Sequence, residues 1–479
     1  MSSQNALLRN SASQQGRPDD LADLSAVDLV EQYRARSLSP VETTQAVLDR
    51  VERLDRRVNA FALLDAESAL ASARESEARW QRGEPLGPVD GVPVALKDLI
   101  LAKGWPTLRG SRAVDPVQDW NEDSPATARL REQGAVLLGK TTTSEFGWKG
   151  LGDSPLTGIT RNPWNVAHTP GGSSGGSAAA TALGFGPLHV ATDGGGSTRL
   201  PAAHSGVFGF KPTFGRVPVY PPSQNGTLFH VTPMTRSVDD AVLLLDAIAR
   251  SDLRDWNALP TQEGSWFENL DQGVKGLRIA FSPTLGYAQI DPELERIVSD
   301  AANTFAELGA IVERVDPGIE DPFDIFQTFW FAGATKLVAS FDPGRRALIE
   351  QGLQEVAEKG RSIDVITYLQ AVDRREALGR HFNQFHQKWD LLLTPTTAHP
   401  ASAIEASGAD LVVRPIRSPF TYPFNMTQQP AASVPAGLTA GGLPVGLQII
   451  GAKFADTSVL RAAKAFEQAR PFARPKDPS

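Results

Sequence analysis

The sequence contains no cysteine among its 479 residues. This absence excludes disulfide bonds, a thiolate nucleophile, zinc sites ligated by cysteine and iron–sulfur clusters. Long hydrophobic runs are missing too, because none reaches the roughly 18 residues that a membrane-spanning helix needs. Residues 1–20 are polar and have no apolar core of the kind found in a secretory signal. These absences predict a cytoplasmic protein with no membrane partner.

An excess of positive charge is also missing. Lysine and arginine number 47 against 55 aspartate and glutamate residues, which gives a net charge of −8 and a pI near 5.5. A nucleic-acid partner held by a basic surface is therefore not expected. Hydrophobic residues make up 41% of the chain, which is ordinary for a globular protein with a large core. Composition does not distinguish a monomer from a homodimer.

Short apolar runs alternate with amphipathic stretches along the body of the chain. Predicted strands lie at 91–100, 135–140, 186–193, 276–281, 310–315, 390–395 and 444–451. Predicted helices include 125–133, 292–308 and a helix that begins after Ser39, where Pro40 and Glu42 complete a capping box. Such alternation predicts an α/β layer structure.

The body of the chain is predicted to form one large domain, over residues 21–470. No polar linker long enough to divide it is present. The segment 1–20 is expected to be flexible and the tail 471–479 to be loose, because both are polar or rich in proline.

A region rich in glycine and serine, between residues 169 and 201, is the most unusual feature of the sequence. Its first half, Gly171–Ser177, runs directly into three alanines. A flexible linker would stay polar, so this run predicts a tight, buried turn. The second half places three glycines between Asp193 and Ser197, after a predicted strand. Their N–H groups could line an oxyanion hole beside the serine hydroxyl, or the glycines could simply reverse the chain.

These two halves, together with the predicted strand that ends at Lys97-Asp98, resemble the amidase signature family of serine hydrolases. The matching segments read GVPVALKD (91–98), GGSSGGS (171–177) and DGGGSTR (193–199). Ser173 and Ser197 stand 24 positions apart (197 − 173), which is the spacing of the family. Further matches, among them GKTTTSEFG at 139–147 and GLPVGLQIIG at 442–451, extend the resemblance over nearly the whole body.

The resemblance implies a central mixed, twisted sheet covered by helices on both faces. It implies that Ser197 is the nucleophile, that Ser173 is a bridging serine and that Lys97 is the base. It also implies a cis peptide bond between Gly172 and Ser173. A lysine can take a proton only while it is neutral, so Lys97 must lie where burial or nearby positive charge disfavours the ammonium form. No metal or organic cofactor is required.

The resemblance also assigns residues around this triad. The N–H groups expected to hold the oxyanion belong to Gly194, Gly195, Gly196 and Ser197. Supporting roles fall to Ser174, Thr192, Asp193 and Arg199. The last two of these are expected to brace the turn as a charge pair, and an ordinary surface ion pair is the alternative.

The implied reaction is hydrolysis of a small-molecule amide through an acyl-enzyme, with carbamates and esters as further substrates. Candidate residues of the substrate pocket are Phe146, Trp148, Gly172, Phe326 and Trp330. The aromatic ones favour an apolar or aryl substrate, although such stripes are more often plain core. Gly194 departs from the family, in which many members carry threonine, isoleucine or alanine, and we expect it to widen the acyl side of the pocket.

Two other functions remain open. The amidase-like component of a tRNA-dependent amidotransferase carries the same motifs and works with a partner that binds tRNA. Residues 172–176 also match the G-x-S-x-G elbow of α/β-hydrolases, which would make Ser174 the nucleophile and require a histidine, but no strand is predicted directly before them. A literal phosphate-loop pattern at 134–141 is rejected, because its four central residues are apolar and belong to a predicted strand.

Overall fold

The computed structural model describes residues 20–404 and 419–478. Residues 1–19, which belong to the segment predicted to be flexible, lie outside the described residues. The strands are β1 (Phe61–Leu64), β2 (Pro93–Lys97), β3 (Val136–Thr141), β4 (Asp153–Ser154), β5 (Gly158–Ile159), β6 (Leu188–Asp193), β7 (Phe208–Lys211), β8 (His230–Thr235), β9 (Arg278–Phe281), β10 (Ile311–Arg314), β11 (Leu391–Pro395), β12 (Ala431–Leu438) and β13 (Pro444–Gly451).

Fourteen α-helices lie within the described ranges. They are α1 (Ala26–Ala35), α2 (Pro40–Val58), α3 (Ala66–Arg82), α4 (Pro125–Glu132), α5 (Gly175–Leu183), α6 (Arg199–Ser205), α7 (Val238–Ile248), α8 (Pro292–Glu307), α9 (Phe323–Ala339), α10 (Pro343–Arg346), α11 (Gln351–Gly360), α12 (Val365–Phe385), α13 (Tyr422–Met426) and α14 (Asp456–Ala469). None of these helices combines the length and the apolar character that a membrane crossing needs.

An eleven-stranded sheet forms the centre of the domain. Its strand order is β1-β3-β2-β6-β8-β7-β12-β13-β11-β9-β10, and β4 and β5 form a separate two-stranded sheet. Strand β2 runs parallel to both of its neighbours, β3 and β6, whereas β8 is antiparallel to β6 and β7. Farther along the sheet, β9 is parallel to β10 and β11. The sheet is therefore mixed, as expected.

Alternate side chains of the central strands enter two different hydrophobic clusters. Leu391 and Leu393 of β11 belong to one cluster, which includes residues of α8 and α14. Leu392 belongs to the other, which includes residues of α9 and α12. Successive side chains of a strand point to opposite faces of the sheet. Helices therefore cover both faces, and the single α/β domain that was predicted is confirmed.

The predicted elements are present with small shifts at their ends. Each of the seven predicted strands overlaps an observed one, and the run 135–140 corresponds to β3, which is shifted by one residue. Helix α2 begins with the predicted capping box: the Ser39 hydroxyl accepts the Val41 N–H at 3.0 Å, and the Glu42 carboxylate accepts the Ser39 N–H at 2.9 Å. The rejected phosphate-loop pattern lies on β3 itself, so it forms no loop that could cradle a phosphate.

Some strands carry no sequence signal of the usual kind. Strand β8 lies between β6 and β7 but contains Pro233. A proline cannot donate a ladder hydrogen bond, so a run with an internal proline is not predicted as a central strand. Strand β12 contains Pro435, and its register with β13 shifts between Pro435 and Gly437. These segments therefore form strands because of their tertiary contacts and not because of their local sequence.

The end of the chain lies against the body of the domain. Residues 471–478 form neither helix nor strand. The Phe472 ring nevertheless packs on Trp164, with 5.6 Å between the ring centroids, and Arg474 pairs with Asp23 at 2.5 Å.

Candidate active site

The glycine–serine run folds into a turn at the start of α5. The peptide bond between Gly172 and Ser173 is cis, as predicted. A Cβ atom built on Gly172 would lie 2.1 Å from the carbonyl oxygen of Leu151, so no larger residue fits there. Ser173 and Ser174 are both buried. The run is therefore a packed turn and not a linker.

Lys97 is the last residue of β2 and is completely buried. Its Nζ atom lies 2.6 Å from the Ser173 hydroxyl oxygen and 2.8 Å from that of Ser174. A third hydroxyl, from Thr192 on β6, lies 2.8 Å away. Strands β2 and β6 are parallel neighbours. Their carboxyl ends therefore meet at one edge of the sheet, which brings Lys97 and Thr192 together under the serine turn.

Burial controls the protonation of Lys97. Desolvation lowers the pKa of Lys97 well below its ordinary value, against the attraction of the Asp193 carboxylate. A neutral amine has two hydrogens and one lone pair, so one of its three hydroxyl neighbours can donate to it. Ser174 donates its own hydrogen to the Thr192 carbonyl oxygen at 3.1 Å and can only accept from the amine. The Ser173 hydroxyl is therefore free to give its proton to a neutral Lys97.

Ser197 lies in the turn between β6 and α6 and is 8% exposed. Its carbonyl oxygen accepts the Ser174 N–H at 3.2 Å, which ties the two serine-bearing turns together. Within residues 20–404 and 419–478, no hydrogen bond joins the Ser197 and Ser173 hydroxyls. Catalytic hydrogen bonds of unliganded enzymes often tighten only when substrate binds. The structure thus forms the contact from Lys97 to Ser173 and ties the backbone of Ser197 to the neighbouring Ser174.

The charge pair next to Ser197 is buried. The Arg199 guanidinium donates to both Asp193 oxygens at 3.0 Å, and neither side chain is exposed. It also donates to the side-chain oxygens of Gln448 and Asn425, each at 2.7 Å. Although burial would raise the pKa of Asp193, the Arg199 guanidinium holds it well below its usual range. The alternative of an ordinary surface ion pair is therefore wrong.

We expect Arg199→Met to destabilise the fold strongly. The substitution leaves the Asp193 carboxylate buried without its cation, and breaking a buried pair in this way costs about 3–5 kcal/mol. The urea midpoint of unfolding, followed by circular dichroism, measures the effect. Arg374→Met is the matched control, because Arg374 and its partner Asp324 are more than half exposed, and exposed pairs contribute little. Equal midpoints for the two variants would contradict the buried brace.

Asp193 also shapes the backbone of the turn that carries Ser197. Its Oδ1 atom accepts the Gly196 N–H at 2.7 Å. Gly196 has φ of 129°, and a Cβ atom there would lie 2.3 Å from the Thr421 hydroxyl, so only glycine fits. Because this N–H is occupied, the expectation that Gly196 holds the oxyanion needs correction. The N–H groups of Gly194, Gly195 and Ser197 make no hydrogen bond to the described part of the chain.

Helix α9 places two of the predicted pocket residues against the same turn. A Cβ atom built on Gly195 would lie 2.7 Å from the Phe326 ring, and one on Gly194 would lie 3.4 Å from the Trp330 ring. The two rings stack with 5.2 Å between their centroids. They form an aromatic wall over the turn, and the Trp330 ring occupies space that a large side chain at position 194 would need.

Two further pocket candidates have different surroundings. Phe146 lines a cavity next to the serine turn and has φ of 50°. Trp148 is buried in the cluster that contains α9 and α12, and its indole N–H donates to the Glu350 carboxylate. The only polar atom of the Trp148 side chain is therefore used inside the protein.

Sequence reasoning missed the residues that hold Arg199 and Asp193 from a distance in the chain. Asn425 donates to the Asp193 Oδ1 atom at 2.9 Å and lies 232 positions away. Gln448 is 249 positions from Arg199. One signal could have found Gln448: it is a polar residue inside the apolar run of β13, and a buried amide there needs hydrogen-bond partners.

Comparison with known proteins defines the class of this site. The family model described as Amidase matches residues 42–460, and the chain belongs to the amidase signature family of hydrolases. Its relatives include an acylamidase of Rhodococcus erythropolis, 36% identical over 95% of this chain and 97% of that protein. A glutamyl-tRNA(Gln) amidotransferase subunit of Geobacter sp. (strain M21) is also 36% identical, over 94% of this chain and 98% of that relative. The solved structure of a bacterial aryl acylamidase is similar with a TM-score of 0.87, at 33% identity, over 94% of this chain and 96% of that one.

Proposed function

We propose that the chain hydrolyses carboxylic amides through an acyl-enzyme, with Ser197 as nucleophile, Ser173 as bridging serine and Lys97 as base. The observation that carries the proposal is the buried Lys97 amine, which lies 2.6 Å from the Ser173 hydroxyl and has a pKa well below its ordinary value. A serine hydroxyl becomes nucleophilic only when a positioned base takes its proton. A neutral amine in a dry site can act as that base.

In this mechanism acylation moves one proton around the triad. Neutral Lys97 takes the proton of Ser173 while Ser173 takes that of Ser197, and the Ser197 oxygen attacks the acyl carbon. When the tetrahedral intermediate collapses, the C–N bond breaks, Ser173 protonates the leaving nitrogen and Lys97 returns a proton to Ser173. Water then attacks the acyl-enzyme, gives its proton to the same relay and releases the acid and the Ser197 hydroxyl.

The developing negative charge needs donors that are free before the reaction begins. Preorganised N–H groups stabilise a tetrahedral intermediate because they need no reorganisation when the charge appears. We assign this role to the N–H groups of Gly194, Gly195 and Ser197, since Gly196 donates to Asp193. The Asp193 carboxylate, by accepting the Gly196 N–H, fixes the backbone conformation of the turn that carries these donors.

We infer that the substrate carries an apolar or aryl group. The stacked Phe326 and Trp330 rings lie directly over Gly195 and Gly194, and burying a substrate ring against such a wall is favourable. The similarity to an acylamidase and to an aryl acylamidase favours the same class. Carbamates and esters present an equivalent acyl carbon to Ser197, and we propose them as further substrates.

A second candidate function is that of an amidotransferase component. The amidotransferase relative that is 36% identical to this chain favours it, and in that case the chain would act together with a partner. The aromatic wall argues for the first function, because a polar primary amide such as glutamine gains little from two stacked rings.

The α/β-hydrolase alternative finds no support at Ser174. Its hydroxyl is completely buried. Its hydrogen-bond partners are the Lys97 amine and the main chain of Thr192, and no described histidine forms a hydrogen bond with it. The turn that carries Ser174 also follows irregular chain, whereas the elbow of an α/β-hydrolase follows a strand directly.

The purified chain alone should hydrolyse aryl amides. We expect its kcat/KM on an apolar acyl 4-nitroanilide to exceed that on glutamine by roughly 10–200-fold or more, which is the discrimination that one or two apolar contacts supply. A panel of anilides, primary amides, carbamates and esters measures this, with Ser197→Ala protein as the background control. A chain that releases ammonia from glutamine but leaves every anilide intact would favour the amidotransferase function instead.

A further inference from the structure

A cavity that opens to solvent lies beside the serine turn. It encloses about 50 Å³, and about 550 Å³ when the space open to solvent is counted. Its walls are mostly apolar and include Leu99, Ile100, Phe146, Tyr220 and Phe229, together with one cation, Arg109. A ligand group that enters this cavity would therefore contact apolar side chains and one positive charge.

The cavity adjoins the triad. A Cβ atom built on Gly147 would lie 2.9 Å from the Leu99 side chain and 3.2 Å from the Ser173 hydroxyl. The Leu99 side chain, which lines the cavity, and the Ser173 hydroxyl therefore lie on either side of a space about the size of one methyl group. A substrate whose scissile bond lies at Ser197 can extend into this space with the rest of its acyl or amine half.

The Arg109 guanidinium makes no hydrogen bond and no ion pair to any described residue. Three other arginines with little exposure, Arg199, Arg50 and Arg79, are paired with carboxylates. Arg236 and Arg375 have no carboxylate partner, but both donate hydrogen bonds to backbone carbonyl oxygens. Burial lowers the pKa of Arg109, against the attraction of Asp98, and an arginine stays charged in proteins nevertheless. A charged group that is largely withdrawn from water and has no partner is one that a ligand can pair.

Arg109 shares its carboxylate neighbour with a second buried cation. The Asp98 carboxylate attracts Arg109 and also the buried ammonium of Lys140, which Asp123 attracts as well. Asp98 is occupied from its other side as well, because it accepts the Gly110 N–H at 3.2 Å. No ion pair joins Arg109 to a carboxylate of the described residues, so Arg109 keeps its capacity for an acceptor that comes from outside.

The backbone holds Arg109 in place. Its φ of 57° lies in the left-handed region, which is rare for a residue with a side chain. Its carbonyl oxygen accepts the Phe146 N–H at 2.8 Å, and Phe146 has a positive φ as well. Such local strain persists where the surrounding structure demands it, and it is found most often at ligand sites.

We propose that Arg109 determines specificity by binding a carboxylate, or an equally anionic group, on a substrate that reaches from Ser197 to the mouth of this cavity. The inference rests on the proposed function, which it narrows to amides that carry one negative charge. A guanidinium binds a carboxylate through two parallel hydrogen bonds, so it fixes the orientation of the substrate as well as its affinity.

Two matched pairs of anilides test the inference. Glutaryl 4-nitroanilide is compared with its neutral analogue, 5-methylhexanoyl 4-nitroanilide, which places the charge on the acyl half. Acetyl 4-carboxyanilide is compared with acetyl 4-isopropylanilide, which places it on the amine half. We expect kcat/KM to be higher for the charged member of one pair. The Arg109→Met substitution should lower kcat/KM for that charged anilide by about 10- to 100-fold. The kcat/KM for the neutral anilides should change little in Arg109→Met. The Arg109→Lys variant should retain part of the preference for the charged anilide, because lysine keeps the positive charge.

Two outcomes would overturn the inference: no preference for either charged member, or an equal loss for charged and neutral members in Arg109→Met. Turnover of the neutral members reports on the proposed function separately. Calorimetric titration of the Ser197→Ala protein with the charged anilides measures binding without turnover. If no anilide is cleaved but binding still depends on Arg109, the proposed function fails and the anion site stands.

Discussion

Ser197→Ala should abolish the hydrolysis of amides, carbamates and esters alike. Each of these reactions needs the same oxygen to form the acyl-enzyme, so a better leaving group cannot restore the rate. We expect kcat to fall by about 10⁴-fold or more on every substrate, which leaves only what binding and the oxyanion donors provide. Initial rates on a 4-nitroanilide and on the 4-nitrophenyl ester of the same acid measure the loss.

Ser205→Ala is the matched control for this experiment. Ser205 is a buried serine at the end of α6, the helix that follows Ser197, and its hydroxyl has no hydrogen-bond partner among the described residues. Its removal should leave both rates close to those of the unmodified chain. The assignment of Ser197 is wrong if its alanine variant still cleaves the ester while Ser174→Ala does not.

The second large effect is expected at Lys97. Lys97→Ala should reduce kcat on the anilide by about 10²- to 10⁴-fold, the usual contribution of a positioned acid–base group. The loss on the matched ester should be smaller, because an ester leaves as a stable alkoxide or phenoxide and depends less on proton delivery. The ratio of the two losses, measured with one acyl group, isolates the role given to Lys97 and Ser173.

The pH profile tests the same assignment without a change of substrate. The ammonium form of Lys97 cannot accept a proton, so kcat/KM of the unmodified chain should fall as the pH is lowered through the pKa of Lys97. Because burial moves this pKa well below its ordinary value, the fall should begin at a lower pH than an exposed lysine would give. Lys97→Ala should lack this part of the profile.

Lys140→Ala is the control for the loss of a buried lysine. Lys140 lies on the neighbouring strand β3, is completely buried and donates to the Thr107 hydroxyl at 2.8 Å. Burial lowers its pKa to about 8, yet it forms no hydrogen bond with Ser173, Ser174 or Ser197. Its replacement should lower the amide and ester rates in equal proportion through stability. If Lys97→Ala lowered the anilide and ester rates by equal factors, Lys97 would have only a structural role, and its assignment as the base would be wrong.

Local sequence was enough to predict the elements that carry the site. The run at 91–98 predicts a buried strand that ends on a lysine, and β2 ends on Lys97. The glycine–serine run predicts a tight turn because it leads into alanines, and the turn is packed against Leu151. These signals are readable because a buried strand or a close-packed turn restricts the residues within it. The cytoplasmic location, the absence of a nucleic-acid partner and the oligomeric state stay predictions.

Long-range pairing could not be predicted in this way. Strand β8 contains Pro233 and is held in the sheet by its neighbours, not by its own propensity. The occupied N–H of Gly196 depends on the position of the Asp193 carboxylate. That carboxylate is in turn held by Arg199 and by Asn425, which lies 232 positions away.

The sequence by itself determined the family, the α/β class and the identity of the candidate triad, because those depend on residue types at short spacings. Only the tertiary structure decided that the Asp193–Arg199 pair is buried, that Phe326 and Trp330 lie over the turn that carries Ser197, and that Arg109 lines a cavity with its charge unpaired. The physical reason is that hydrogen bonding, burial and charge pairing act between atoms a few ångströms apart in space, and the fold brings those atoms together from distant parts of the chain.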